Sequence, residues 1–253
     1  MYDPWVFANY KSPSQRVRLL TERWFGAHMY CPNCLNPHLA PAKTNTKVVD
    51  FSCENCIHDF QLKSKKGRIA NKINDGAYRP MIERIQANTS PDFFFMQYAP
   101  EEWIVKNIFL VPRFFMNTTI IEKRTALSSH ADRAGWIGCN ILFSKLPDEA
   151  RIAVVVDEKL ADPGRVQKKY KALDFIDSKN YLERGWVSDV LYYVRRIGKT
   201  QFSLSEVYRF EEELKEIHPG NYHVRDKIRQ QLQILRDRGI LRFLDRGTYT
   251  LLD

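Results

Sequence analysis

The chain has 253 residues, room for one large domain or for a main domain with a smaller one, and two domains are expected. Its 44% hydrophobic and 13% aromatic content belongs to a folded globular protein, and no apolar run reaches membrane-spanning length, which excludes a transmembrane helix and makes a membrane partner unexpected. The formal charge of +9 favours a polyanionic partner, although a surplus of this size also serves solubility alone.

The first twenty residues, MYDPWVFANYKSPSQRVRLL, lack the basic start, apolar stretch and small-residue cleavage site of a secretory signal, so the cytoplasm is the expected compartment. A helical stretch follows in QRVRLLTERW. Two cysteine pairs come next, Cys31 with Cys34 and Cys53 with Cys56, 18 residues apart. A Cys-x-x-Cys turn points two thiolates at one ion, and two such turns complete a tetrahedral zinc shell. Sulfur fills all four positions and leaves none for water, so the expected ion is structural. Disulfides in a secreted protein are the alternative, disfavoured by the missing signal.

Around the second pair, KVVDFSC reads as a short strand ending near Asp50, and HDFQLKS as a second strand. Alternation puts Gln61 and Lys63 on one face and Leu62 on the other, with Asp50 able to meet them across the hairpin. This arrangement resembles the PD-(D/E)xK nuclease core. Magnesium takes oxygen ligands, which Asp50, the Gln61 amide and the Leu62 carbonyl offer, while Lys63 is the candidate for orienting water or neutralising charge on the phosphate. The alternative is a solvated strand whose Asp50 caps a turn. Lys65, Lys66 and Arg68 lie just beyond Lys63, where a DNA backbone would pass, or form a solvated loop.

Further along, Cys139 in GWIGCNILF has no partner and reads as a buried thiol. After RIAVVVDEKL the apolar pattern changes from strand to helix, and the boundary is placed near residue 180. Helices are predicted over GWVSDVLYYVRRI, over SLSEVYRFEEELKEIH with Ser203 or Ser205 as N-cap, and over roughly 222–238. In the third, Val224, Ile228, Leu232 and Leu235 form a core stripe, while Arg225, Arg229, Gln230 and Gln233 lie off it. GILRFLDRGTYTLL then gives two strands about an Asp-Arg-Gly turn. Three helices and a hairpin make a winged-helix layout, which serves either DNA reading in the major groove or protein–protein contact. The histidines, His58, His130, His218 and His223 among them, carry no ligand spacing.

LKSKKG, INDGAY, FFF at 93–95, RAGWIGCNI, YRFE, KIRQQLQILRD and the two cysteine turns together resemble the DpnI-like, methyl-directed type II restriction endonucleases over nearly the whole chain. The resemblance implies an α/β fold, more strictly α+β: a PD-(D/E)xK catalytic domain over residues 1–180 with an inserted zinc knuckle at 31–56, and a winged-helix domain over 181–253. It implies magnesium-dependent cutting of duplex DNA at GATC sites carrying N6-methyladenine by a cytoplasmic monomer. Asp50 and Lys63 take the catalytic positions, and Cys31, Cys34, Cys53 and Cys56 the zinc positions. Gln61 stands where the family has glutamate, so the alternative is a reader of methylated GATC that no longer cleaves. Methyl recognition calls for a dry pocket. Trp136 is the candidate for it, between Gly135 and Gly138, whose small size would let DNA approach closely, and next to Arg133 for phosphate contact, with core packing as the alternative.

Overall fold

The computed structural model describes residues 1–43 and 48–252. The chain opens with α1 (Pro4–Asn9) and α2 (Pro13–His28). Pro13 begins α2, where its missing N–H has no helical partner to lose, and the predicted helical stretch lies inside that helix. Phe25 carries the apolar side of α2 onto the main sheet, its ring 4.8 Å from both Phe51 and Phe94.

There follow β1 (Ala40–Pro41), β2 (Phe51–Ser52), β3 (Asp59–Lys66), β4 (Ile73–Ala77), α3 (Tyr78–Gln86), β5 (Asp92–Ala99) and β6 (Ile104–Val111). Next come β7 (Ile121–Lys123), β8 (Gly138–Ile141), β9 (Ile152–Val156), β10 (Lys159–Leu160) and α4 (Pro163–Ala172). The main sheet has the order β1-β2-β3-β5-β6-β9-β10. Only β3 and β5 pair in parallel among the described strands, which requires a crossover, and β4 with α3 supplies it. β5 is buried from Asp92 to Tyr98, on both faces, and so reads as an apolar run. The Asp92 carboxylate at its start accepts hydrogen bonds from the Arg113 amide (2.7 Å) and the Tyr170 hydroxyl (3.0 Å); burial pushes its pKa up. A second sheet, β4-β8-β7, covers the face of β3 that carries Lys63.

The C-terminal part holds α5 (Tyr181–Arg196), β11 (Gln201–Ser203), α6 (Leu204–Tyr208), α7 (Glu211–Ile217), α8 (Val224–Asp237), β12 (Leu241–Asp245) and β13 (Thr248–Leu251), with sheet order β11-β13-β12. Ser203 caps α6 in a reciprocal box with Glu206. Arg246 and Gly247 both take positive φ (39° and 78°), the turn that an Asp-Arg-Gly tip between two strands requires. The α8 stripe is buried as its spacing predicts: Val224, Ile228, Leu232 and Leu235 face inward. No helix among the described residues is long and apolar enough to cross a membrane.

Two predicted elements differ. The expected strand ending near Asp50 begins only after it, at Phe51, and its Lys47 lies outside the described residues. Val48 has φ 66°, a left-handed turn that prevents residues 48–50 from running extended. The helix expected over 203–218 is broken into α6 and α7. At the break Phe210 leaves helical geometry and packs its ring 4.8 Å from Tyr193 of α5, with Arg196 over its other contact surface at 5.5 Å.

The hairpin that joins β2 to β3 has only two paired residues on its first strand, too few to hold itself. The four cysteines sit at its tip. Their sulfurs lie within 4.8 Å of one another, with Cys31 to Cys56 at 3.4 Å and Cys34 to Cys53 at 3.5 Å. A zinc tetrahedron with Zn–S near 2.3 Å has edges of about 3.8 Å, so the cluster fits zinc. The two turns are built alike. The Leu35 amide donates to the Cys31 carbonyl and the Ile57 amide to the Cys53 carbonyl, both at 2.8 Å. Leu35 (φ 61°) and Ile57 (φ 57°) occupy the same left-handed position. Burial works against a thiolate at Cys34, but hydrogen bonds from Asn55 and the Asn36 amide outweigh it and bring its pKa to about 6. α4 braces the first turn, Gln167 donating to the Asn33 carbonyl at 2.9 Å.

These contacts generate two expectations. The purified protein is expected to carry one equivalent of zinc, and Cys53→Ser to lose it together with more than about 4 kcal/mol of stability, checked by metal analysis and urea melts. Ile57→Gly is expected to gain about 1 kcal/mol in the same melts, because Ile57 is 87% exposed and gives up little packing while its left-handed backbone is relieved.

Candidate active site and nucleic-acid surfaces

Asp50 precedes β2 and is tied down at three atoms. Its amide donates to the Phe60 carbonyl and its carbonyl accepts from the Ala42 amide, both at 2.9 Å. Its carboxylate Oδ2 accepts the Leu62 amide, also at 2.9 Å. That bond sets the carboxylate beside the middle of β3. The N–H and C=O of a strand residue point to the same side, so the Leu62 carbonyl faces Asp50 as well. Gln61 is 7% exposed, and its buried Oε1 has no hydrogen-bond partner among the described residues. A buried acceptor left without a donor is an uncommon and costly arrangement, and it is what a cation ligand looks like before its ion arrives. Asp50, Gln61 and Leu62 thus offer three oxygens of the hard type that magnesium takes.

Lys63 shares the Gln61 face and meets the Asp75 carboxylate of β4 in an ion pair. The sequence reading did not single out Asp75. It lies in INDGAY, where Asp-Gly reads as a turn, while its side chain is in fact 2% exposed and inward-facing. On the outer side, α2 brings Arg18, Glu22 and Phe25 along one stripe, with Phe25 seated on Phe51 next to Asp50. Arg18 Nε donates to Glu22 at 2.7 Å; Glu22, and more weakly Asp50, hold its guanidinium above the ordinary value.

The other candidate residues fall into three places. Lys65 donates to the Lys72 carbonyl at 3.2 Å, and Lys66 and Arg68 are exposed at the rim of a cavity of about 760 Å³ that Tyr98, Asn107 and Arg151 also line. Arg133 and Trp136 lie together on the connection between β7 and β8, in a turn closed by the Trp136 amide on the Arg133 carbonyl (3.1 Å), the guanidinium 4.8 Å above the indole. Trp136 is half-buried, and a Cβ on Gly138 would lie 2.7 Å from its ring. Gly138 therefore makes room for the indole itself, a correction to the expectation that it admits DNA. On α8, Arg225, Arg229, Gln230 and Gln233 are all exposed. Arg225 bonds Glu211 at 2.7 Å and lies over Tyr208, while Arg229 pairs with Asp226.

Residues 1–179 match the DpnI family, described as the Dam-replacing family, and residues 182–250 match its C-terminal module, described as the Dam-replacing HTH domain. The first match alone covers more than half of the chain. The protein therefore belongs to the DpnI, or Dam-replacing, family of restriction endonucleases and carries a DNA-binding helix-turn-helix domain at its C-terminal end.

Proposed function

We propose that this protein is a magnesium-dependent endonuclease that cuts duplex DNA at GATC sites containing N6-methyladenine, through a PD-(D/E)xK site made of Asp50, Gln61, Leu62 and Lys63. The observation that carries the reading is the Leu62 amide bond to the Asp50 carboxylate, which sets a carboxylate against the middle of β3, the strand whose Gln61 has a buried amide oxygen without a hydrogen-bond partner among the described residues. When bound there, magnesium would supply positive charge against the charge that gathers on the phosphate during hydrolysis. Asp50 supplies the one full negative charge of the ligand set, Gln61 an acceptor of the same reach as glutamate, and Leu62 a backbone carbonyl. Lys63 carries a proton at Nζ for the reacting oxygens. The cysteine cluster holds structural zinc and has no part in the reaction.

In this reading residues 1–180 cut and residues 181–253 form a winged-helix reader whose α8 enters the major groove. Arg225 and Arg229 suit guanine and phosphate, and Gln230 and Gln233 suit adenine. Lys65, Lys66 and Arg68 follow the backbone past the hairpin, with Arg133 contacting phosphate near Trp136. The protein acts as a cytoplasmic monomer on duplex DNA. A second reading, a methyl-directed binder without cleavage, is favoured by one feature: Gln61 brings no charge to the site.

Titrating magnesium against cleavage of methylated plasmid decides between these readings. Cutting by the protein as it stands, at a higher magnesium requirement than Gln61→Glu, is the expected result, because a neutral ligand holds the cation more weakly. Cutting by Gln61→Glu alone, with none by the parent at any magnesium level, establishes the binder. For methyl discrimination, one buried methyl is worth about 0.8 kcal/mol, so Trp136→Ala is expected to reduce the ratio of methylated to unmethylated affinity about fourfold. Fluorescence anisotropy at fixed salt measures it, and an equal loss on both duplexes would return Trp136 to a packing role.

A further inference from the structure

The Lys63–Asp75 pair is almost out of water, the lysine side chain 16% exposed and the aspartate 2%. Burying both charges has a large desolvation cost that apolar residues of the same shape would avoid, so such a pair adds little to stability. Two details of the fold nevertheless aim Asp75 at this place. β4 pairs with β8 so that Asp75 faces Cys139 in register, and the ladder then slips between Asp75 and Ala77, leaving Gly76 as the extra residue. A bulge of this kind re-aims the neighbouring side chain. Lys63 makes no bond to Gln61, whose Oε1 remains without a partner on the same face of β3. A glutamate at position 61 would offer the lysine a charge two residues away; Gln61 offers none. Asp75 lies within contact distance of Nζ and has a full charge to hold it.

We propose that Asp75 is the positioning residue for Lys63, a carboxylate from the crossover strand that fixes the ammonium over the reacting phosphate in place of the charge Gln61 lacks. The assignment rests on the nuclease reading of the hairpin. A lysine has four rotatable side-chain bonds, and loss of its anchor spreads Nζ over positions away from the reacting atoms. Displacement of a catalytic group by about 1 Å lowers a rate by roughly a hundredfold. Asp75 acts through Lys63 and touches neither substrate nor cation in this scheme.

The test is a double-mutant cycle on cleavage of methylated GATC duplex, run in the parent and in Gln61→Glu. Asp75→Asn, which keeps the shape and removes the charge, is expected to lower kcat about a hundredfold while KM changes less than about threefold, and Asp75→Glu to recover part of the loss. Lys63→Met with Asp75→Asn is expected to be no slower than Lys63→Met alone, because the second change then has nothing left to position. Thermal melts give a readout apart from cleavage: Lys63→Met strands a buried carboxylate and lowers Tm, and adding Asp75→Asn restores it. Additive losses of kcat in the cycle, or an Asp75→Asn protein that cuts methylated GATC duplex as fast as its parent, overturn the assignment while leaving the nuclease reading intact. If neither the parent nor Gln61→Glu cuts, the nuclease reading fails and the assignment falls with it.

Discussion

Asp50 needs more than its backbone bonds to Phe60 and Ala42 to stay beside β3, since β2 contributes only Phe51 and Ser52 to the ladder. Two restraints act from opposite ends. The cysteine cluster closes the loop between β2 and β3, and the Leu62 amide closes on the carboxylate itself. Loosening either lets the other fail: a freed loop tip would carry β2 away, and a carboxylate without its donor would swing toward water. The same constraint accounts for the bracing of the first cysteine turn by α4 and for the left-handed residues at 35 and 57, which close each turn tightly enough for four sulfurs to converge. Backbone strain at an exposed isoleucine is tolerated because the turn geometry determines the sulfur positions.

The two parts of the chain are joined by buried polar contacts. Arg184 of α5 is 1% exposed and donates to the Ile85 carbonyl and to Asn88 at 2.6 Å, both at the end of α3. Asp189 accepts from Thr119 at 2.9 Å through one oxygen and bonds His218 through the other at 2.9 Å, while the His218 ring stacks 4.0 Å from Trp186. Arg195 closes on Glu149. Directional bonds of this kind fix an orientation in a way that an apolar seam does not, since each donor left unpaired in the interior has a real cost. The helix that packs the helix-turn-helix module thus also anchors it to the N-terminal part, at the end of α3, at Thr119 and at Glu149. Motion of α5 relative to the N-terminal part would have to break several of these bonds together.

What could be read from the sequence was what depends on neighbours in the chain. The cysteine spacing, the Ser203 cap, the α8 stripe and the Asp-Arg-Gly turn are all local, and each appears where the residues place it. So was the approach of Asp50 to the second strand, because a hairpin has few ways to fold. Asp75 was hidden because its partner, Lys63, lies in a different sheet and is brought to it by a bulge that no spacing reveals. The helix break at Phe210 was hidden for a related reason: propensity favours continuation, and only the ring of Tyr193 explains the turn. Gly138 looked like an open approach and is filled by the adjacent indole.

The charge of α8 also looks different in three dimensions. On paper Arg225 and Arg229 are free cations, but in the fold both are paired, with Glu211 and Asp226. These pairs lie at the surface, where an ion pair is screened and side-chain entropy offsets most of its attraction, so exchanging a carboxylate for a phosphate or a base costs little. The carboxylates then become part of the selectivity. Were an arginine to leave for DNA under the proposed function, Glu211 or Asp226 would stay behind as a bare negative charge close to the DNA backbone, and only a well-formed contact to the target would offset that repulsion. If α8 reads DNA as proposed, a helix built in this way would discriminate against loosely bound sequence more strongly than one carrying the same arginines alone, because each arginine already has a carboxylate partner.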